Sequence, residues 1–238
     1  MPARRLLQLA LSALVIYSAA LLWIEATTSQ EYVRQYFTDI GQPKKPGYFA
    51  APTGNITFYA INTSLSAFFL ACAGVLLIFA TVAKPGRWSG QASLYAGQGA
   101  ILMWMAADER FMLHEKIGAA LHTRSTVILI AAVLINGALY AALFRASYFN
   151  LRMAGLFAAG VMTFLVMMFL DLLLPHNMPL RLSFEDLTKT WSGFAFLLFA
   201  WEAARFRLIG QAEGEKGLRI PYYLTSRVPR IWRSRLES

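Results

Sequence analysis

The stretch from Leu94 to Ala107 reads LYAGQGAILMWMAA, and the overlapping stretch from Ala106 to Gly118 reads AADERFMLHEKIG. The first stretch is apolar enough to lie in lipid, whereas the second carries five charged side chains and a histidine. An apolar segment that ends abruptly in charged residues is typical of a membrane-spanning helix that reaches the polar headgroups. This boundary therefore indicates that the chain folds in a membrane.

The composition of the whole chain supports a membrane protein. Of its 238 residues, 57% are hydrophobic and 15% are charged, and the mean hydropathy is +0.47; an average soluble domain has about 25% charged residues. Because lipid offers no partners for backbone N–H and C=O groups, and alternating barrel patterning is absent, the spans must be helical. The sequence predicts an all-α, polytopic fold with about six transmembrane helices, near residues 6–24, 58–83, 93–114, 125–146, 151–175 and 188–206.

The first apolar run has two interpretations. Arg4 and Arg5 precede it, and small residues occur near Ser18, as they would in a cleaved signal peptide. Its apolar core, from Leu6 to Ile24, is longer than the ~7 to 15 residues usual for signal peptides. The length favours a retained membrane span, with cleavage as the alternative.

The positions of Lys and Arg predict the orientation, because basic residues are enriched in cytoplasmic loops. With the N-terminus inside, 14 of the 22 basic residues fall on the cytoplasmic side. Both termini are therefore predicted to be cytoplasmic, in a multi-pass protein of the cell inner membrane. We expect residues 1–208 to form the transmembrane domain, with an outer loop at 25–57 that carries a short interfacial helix, and residues 209–238 to form a basic cytoplasmic tail.

The net charge of +9 is explained by this tail, in which arginines alternate with Tyr and Trp. Such a segment is suited to lie among anionic lipid headgroups. Membrane lipids are therefore the expected partners, and nucleic acid is not.

Ionisable residues collect at the outer ends of the predicted spans. On one continuous helix Asp108 and Glu115 would lie on the same face, since seven residues make nearly two turns, and Asp171 falls at the outer end of the fifth span. Carboxylates at membrane depth usually face a bundle interior or a wet cavity. We therefore predict that these three carboxylates share an outward-facing pocket as candidate catalytic groups; the alternative is an ion-pair network that only holds the helices together.

Histidines and further charges complete the predicted outer site. Imidazole and carboxylate groups suit zinc or another divalent metal, and the candidate metal ligands are His114, His122 and His176. If His114 binds a metal, we expect its second nitrogen to contact a carboxylate from another segment. Ser183 is expected to cap the last span in a capping box with Asp186. Glu202, at the inner end, is expected to pair with Arg205 or Arg207.

The sequence resembles a broad group of bacterial multi-span membrane proteins in which a D-[DE]-x4-H-E signature ends a central transmembrane helix. The matching features are Asp108-Glu109 followed by His114-Glu115, FEDLTK at the start of the last span, and NITFYAINTSLSAFF at the start of the second. The resemblance covers spans two to six and implies the multi-span fold, without an assigned activity. Lys189 is a departure, since some members of the group have a further acid there.

Three hypotheses on function remain open. The first is a metal-dependent membrane hydrolase that acts on a lipid-like substrate. The second is a non-catalytic subunit or assembly factor, which would bind a protein partner in the membrane. The third is a transporter or proton-linked carrier, against which the sequence shows neither an internal repeat nor helices broken near their middle.

Overall fold

The computed structural model describes residues 3–29, 32–33, 61–83, 89–175 and 178–210, and within them every regular element is a helix. The outer loop expected at 25–57 and the cytoplasmic tail expected at 209–238 therefore lie almost entirely outside the described residues. The seven α-helices are α1 (Ala3–Thr27), α2 (Ile61–Val82), α3 (Gly90–Phe111), α4 (Leu113–Ala120), α5 (Ser125–Leu143), α6 (Leu151–Leu173) and α7 (Arg181–Arg205). A short 3-10 turn at Ala146–Tyr148 precedes α6, and a π-helical turn at Phe206–Gly210 follows α7.

Three of the described helical segments are long and apolar enough to cross a membrane: Leu7–Thr27, Ile61–Val82 and Leu151–Leu170. A fourth apolar segment, Val127–Leu143, is shorter. The helices α3 and α7 overlap the other two predicted spans, but they carry more polar and charged side chains than the three apolar segments do. The prediction of an all-helical fold is thus confirmed for the described residues, and three of the predicted spans are long and apolar enough to cross a membrane.

Two predicted helix boundaries are wrong. The third span, expected to run to His114, ends as a helix at Phe111. The last helix begins at Arg181, seven residues before the predicted start at 188, so that Ser183 is its third residue and not its cap. The predicted capping box is therefore absent.

The chain divides into two compact units, of which the larger comprises Ser66–Val161 and Ser192–Ser238. Its core joins α2, α3, α6 and α7 through buried aliphatic and aromatic side chains, among them Leu77, Leu102, Met153 and Phe199. On α3, Gln91, Tyr95, Gln98 and Leu102 are all buried, and their spacing places them on one helix face. The polar groups of α3 are thus turned into the protein.

Close helix contacts in this unit occur at small residues. Ser192 on α7 donates its hydroxyl to the carbonyl of Gly160 on α6, at 2.9 Å. A Cβ on Gly160 would lie 2.9 Å from the ring of Phe196. Because hydrocarbon surroundings give helices little hydrophobic reason to associate, close packing of this kind is what holds membrane helices together.

The smaller unit comprises Met1–Leu65 and Met162–Trp191. Leu21, Val33 and Leu187 form its apolar core, against which Tyr17 and Trp191 pack. The indole N–H of Trp191 donates to the Ser18 hydroxyl at 3.0 Å. Side chains of α1 and α7 are thus joined by both apolar and polar contacts.

Candidate functional site

The charged stretch after α3 contains a sharp change of backbone direction at Met112. Met112 has φ 49° and ψ 49°, the left-handed conformation, and it separates α3 from α4. Left-handed geometry costs a residue with a side chain about 1–2 kcal/mol. The prediction of one continuous helix through Asp108 and Glu115 is therefore wrong, because the two residues belong to different helices.

This break brings Asp108 and His114 into direct contact. On an uninterrupted helix they would lie about 9 Å apart along the axis and about 120° apart around it. In the structure, Nδ1 of His114 lies 2.9 Å from Oδ1 and 2.8 Å from Oδ2 of Asp108. The His114 backbone N–H also donates to Oδ1, at 2.6 Å. Asp108 thus holds both the imidazole ring and the first turn of α4.

The Asp108 carboxylate is buried, and the His114 side chain is 22% exposed. The hydrogen bond that His114 donates to the Asp108 carboxylate raises the pKa of His114 above its ordinary value of 6.5. Burial opposes this increase, and the charges of Asp108, Glu115 and Glu109 reinforce it. A carboxylate on Nδ1 favours the tautomer that carries its proton there. Nε2 of neutral His114 is then the atom that accepts a proton or binds a metal.

We expect Asp108→Asn to lower the pKa of His114, because the substitution removes the carboxylate charge and its hydrogen bond to the protonated ring. The pKa should be read from the imidazole resonances of the labelled protein, with His122 as internal reference. A group whose pKa rises on folding stabilises the folded state. This stabilisation is complete at pH values below the unfolded-state pKa, and it is lost as the pH rises through the folded-state pKa. The wild type should therefore lose stability relative to Asp108→Asn as pH rises through the His114 titration. An unchanged His114 pKa in the variant would contradict the assignment.

The other predicted site residues lie as follows. Glu115 is exposed in the first turn of α4, and His122 is exposed in the turn after α4, with φ 52°. Asp171 lies in the last turn of α6, but its side chain is outside the described part of the structure, as is the whole of His176. Asp171 belongs to the smaller unit and Asp108 to the larger, so their sharing a pocket stays a prediction.

The expected carboxylate partner of His114 is present, whereas metal binding by the histidines stays a prediction. His114 does contact a carboxylate, but the partner is Asp108 of the preceding helix and not a residue of a distant segment, because the left-handed Met112 separates the two helices. Among the described residues no group of three or more His, Cys, Asp or Glu side chains is arranged to hold a metal ion.

The sequence interpretation missed a polar cluster in the smaller unit. Asn62, at 2% exposure, accepts a hydrogen bond from the Tyr17 hydroxyl and donates to Oδ2 of Asp186 at 3.0 Å. Glu185 contacts Lys189 at 3.1 Å and Arg181 at 3.4 Å. A polar residue such as Asn62 in the first turn of a strongly apolar helix was the available signal for this cluster.

The family model for a domain of unknown function, DUF8692, matches residues 7–203. The match covers all seven α-helices except the first few residues of α1 and the last two of α7. No curated protein and no solved structure matches the chain. Because the family model covers most of the chain, the chain belongs to the DUF8692 family.

Proposed function

We propose that this DUF8692 member is a multi-pass inner-membrane hydrolase that acts on a lipid-like substrate from the outer side of the membrane, with His114 as its acid–base group. The observation that supports this function is the contact of both Asp108 oxygens with Nδ1 of His114. An imidazole fixed by a carboxylate on one nitrogen presents the other nitrogen in a defined orientation and tautomer. That arrangement suits proton transfer to or from a reacting group.

The proposed reaction is hydrolysis of an ester or amide. Nε2 of neutral His114 removes a proton from water while the water oxygen bonds to the substrate carbonyl carbon. The imidazolium then gives that proton to the leaving oxygen or nitrogen as its bond to carbon breaks. Asp108 acts as a positioning residue that stabilises the imidazolium. The raised pKa of His114 makes its imidazole a stronger base for the first proton transfer.

The same geometry suits a metal-dependent form of the hydrolase. Zinc-bound histidines commonly direct their second nitrogen to a carboxylate, as His114 does to Asp108. His114 would then bind zinc or another divalent metal through Nε2, with His122 and His176 as the further ligands proposed from the sequence. Metal analysis of the purified protein and of its His114 variant distinguishes the two forms.

We expect His114→Gln to lower hydrolysis about 10²- to 10⁴-fold, the range for loss of a general acid–base group. The purified protein, in nanodiscs of total inner-membrane lipid, is assayed by mass spectrometry for released fatty acids and lysolipids. Asp108→Asn should also lower the rate and should shift the acid limb of the pH–rate profile to lower pH, since it lowers the His114 pKa.

His122→Asn is the matched variant, because Asn tolerates the left-handed backbone at this position. If the hydrolase works without a metal, His122→Asn should keep its activity. If His122 is a metal ligand, the substitution should lower both the activity and the metal content. The proposed function would be refuted if the wild type does not hydrolyse lipids, or if folded His114→Gln hydrolyses them at the wild-type rate. Either result would favour the alternative function, in which the charged residues bind a partner protein.

The six-span topology is part of the proposal. The six long helices contain 19 to 25 residues, which corresponds to about 28–38 Å at the helical rise and fits a hydrocarbon core of about 30 Å. Membrane lipids then contact the exposed apolar side chains, and both termini are cytoplasmic.

We expect reporter fusions after Lys84 and after Arg207 to be cytoplasmic and a fusion after Lys116 to be external, because of the distribution of basic residues. Paired alkaline phosphatase and fluorescent-protein fusions provide complementary signals at each position. A cytoplasmic signal at Lys116 would overturn the outward orientation of His114.

A further inference from the structure

The carboxylate of Glu25 caps a helix to which it does not belong. Glu25 lies in the last turns of α1 and is 5% exposed. Its Oε2 accepts a hydrogen bond at 3.1 Å from the backbone N–H of Ser183, the third residue of α7. The first N–H groups of a helix have no partner within that helix. Glu25 satisfies one of them and places a negative charge at the positive end of α7.

This contact leaves two buried oxygens without partners. Glu25 Oε1 and the hydroxyl oxygen of Ser183 are fully buried, and neither has a hydrogen-bond partner. Ser183 itself is 0% exposed. Both atoms belong to the two residues that the Oε2 to N–H hydrogen bond joins across α1 and α7. A buried acceptor without a partner costs about 1–3 kcal/mol, and more when it is charged.

The charge of Glu25 also distinguishes it from the acids on α7. Glu185 contacts both Arg181 and Lys189, and Lys189 also lies 3.9 Å from Asp186. Glu25 instead receives one neutral backbone N–H in the described part of the structure. The apolar core of the same unit includes Leu21, four residues before Glu25 on α1, and Leu187, four residues after Ser183 on α7. A carboxylate in such surroundings needs a compensating positive charge.

We propose that Glu25 and Ser183 form a binding site for a small monovalent cation of the Na+ type, with Glu25 Oε1 and the Ser183 hydroxyl oxygen as ligands. Carboxylate and hydroxyl oxygens are hard ligands and suit a hard cation. A water molecule would supply a hydrogen bond but would leave the buried charge uncompensated, whereas a cation satisfies both requirements. Since one ligand lies on α1 and the other on α7, the bound cation joins the two helices.

The test is thermal unfolding of the purified full-length protein in detergent, at constant ionic strength, in NaCl, KCl or N-methylglucamine chloride. A ligand that binds only the folded state raises Tm in a saturable manner. In the wild type we expect NaCl to raise Tm by about 3 °C or more above N-methylglucamine chloride. Glu25→Gln, which keeps the side-chain size and an acceptor oxygen but removes the charge, should abolish this difference.

Two further variants complete the design. Glu202→Gln changes another buried acid, one that contacts two arginines, and should keep the Na+-dependent rise. Ser183→Ala retains the backbone N–H that Glu25 accepts and should raise the Na+ concentration for half of the effect about 10-fold; it decides the question if Glu25→Gln does not fold. Equal wild-type Tm values in all three salts, or a full Na+ effect in both Glu25→Gln and Ser183→Ala, would overturn the site.

Discussion

Replacing Gly99 with alanine is expected to lower the free energy of unfolding by about 1–3 kcal/mol, the usual cost of forcing a group into a packed interior. Gly99 on α3 faces Gly74 on α2. A Cβ at Gly99 would lie 2.9 Å from the Gly74 carbonyl oxygen and 2.8 Å from Ile78 Cγ1, and a Cβ at Gly74 would lie 2.8 Å from the Gly99 carbonyl oxygen. Because the contacts between the two glycines are with backbone carbonyl oxygens, which cannot rotate away, the two helices must move apart to admit a methyl group.

Gly137→Ala on α5 is the matched control, since a Cβ there meets nothing within 4 Å. It should leave stability unchanged or raise it by up to about 1 kcal/mol, because alanine has the higher helix propensity. Denaturant unfolding in detergent micelles, followed by Trp fluorescence, measures both variants. Equal effects of the two substitutions would show that the close approach of α2 and α3 is unimportant for stability.

Arg207→Met is expected to destabilise the protein by about 2–4 kcal/mol, because it removes hydrogen bonds from a charged donor and leaves buried acceptors behind. Arg207 lies in the π-helical turn after α7 and is 6% exposed. Its Nε donates to the Ala80 carbonyl oxygen at 2.8 Å, and one terminal nitrogen donates to Gln91 Oε1 at 3.1 Å. Arg207 thus joins the end of α7 to α2 and α3.

The contacts of Arg207 continue through the interior. Gln91 Nε2 donates to the Tyr95 hydroxyl at 3.4 Å, and that hydroxyl donates to the Tyr148 carbonyl oxygen at 2.8 Å. Loss of the guanidinium should therefore affect more than one helix. Methionine retains much of the apolar stem, so the measured loss reports chiefly the polar head.

Arg205→Met is the control for Arg207. Arg205 is two residues earlier, is half-exposed and lies 3.6 Å from Glu202. Ion pairs with an exposed partner contribute about 1 kcal/mol or less, so this variant should remain near the wild type in the same unfolding measurement. A loss at Arg205 as large as that at Arg207 would contradict the role assigned to the buried guanidinium.

The positions of the six long helices were predictable, because apolar length dominates the behaviour of a membrane protein. The residues at which these helices begin and end were less predictable. Met112 ends α3 without the Gly or Asn that usually occupies a left-handed position, so no residue pattern indicated that Asp108 and His114 meet. The first turn of α7 receives a hydrogen-bond acceptor from Glu25, 158 positions away from Ser183, and sequence spacing does not reveal such a partner.

Partners of charged residues were predicted only in part. Glu202 does contact Arg205, but its second partner is Arg152 on α6, at 3.2 Å, and not Arg207. Arg207 instead donates to a backbone carbonyl and to an amide. Sequence spacing predicts partners along one helix, whereas partners on another helix depend on helix packing that the sequence does not display.

The contacts between α1 and α7 determine the order in which the protein is assembled during synthesis. Ser18 and Trp191 are 173 residues apart, and Glu25 and Ser183 are 158 apart. At roughly 5–20 residues per second, the ribosome needs about 8–35 s after making α1 to deliver these partners. During that time the polar side chains of Ser18 and Glu25 on α1 lack their hydrogen-bond partners on α7. Completion of the smaller unit is consequently a late event in biogenesis, set by translation of α7.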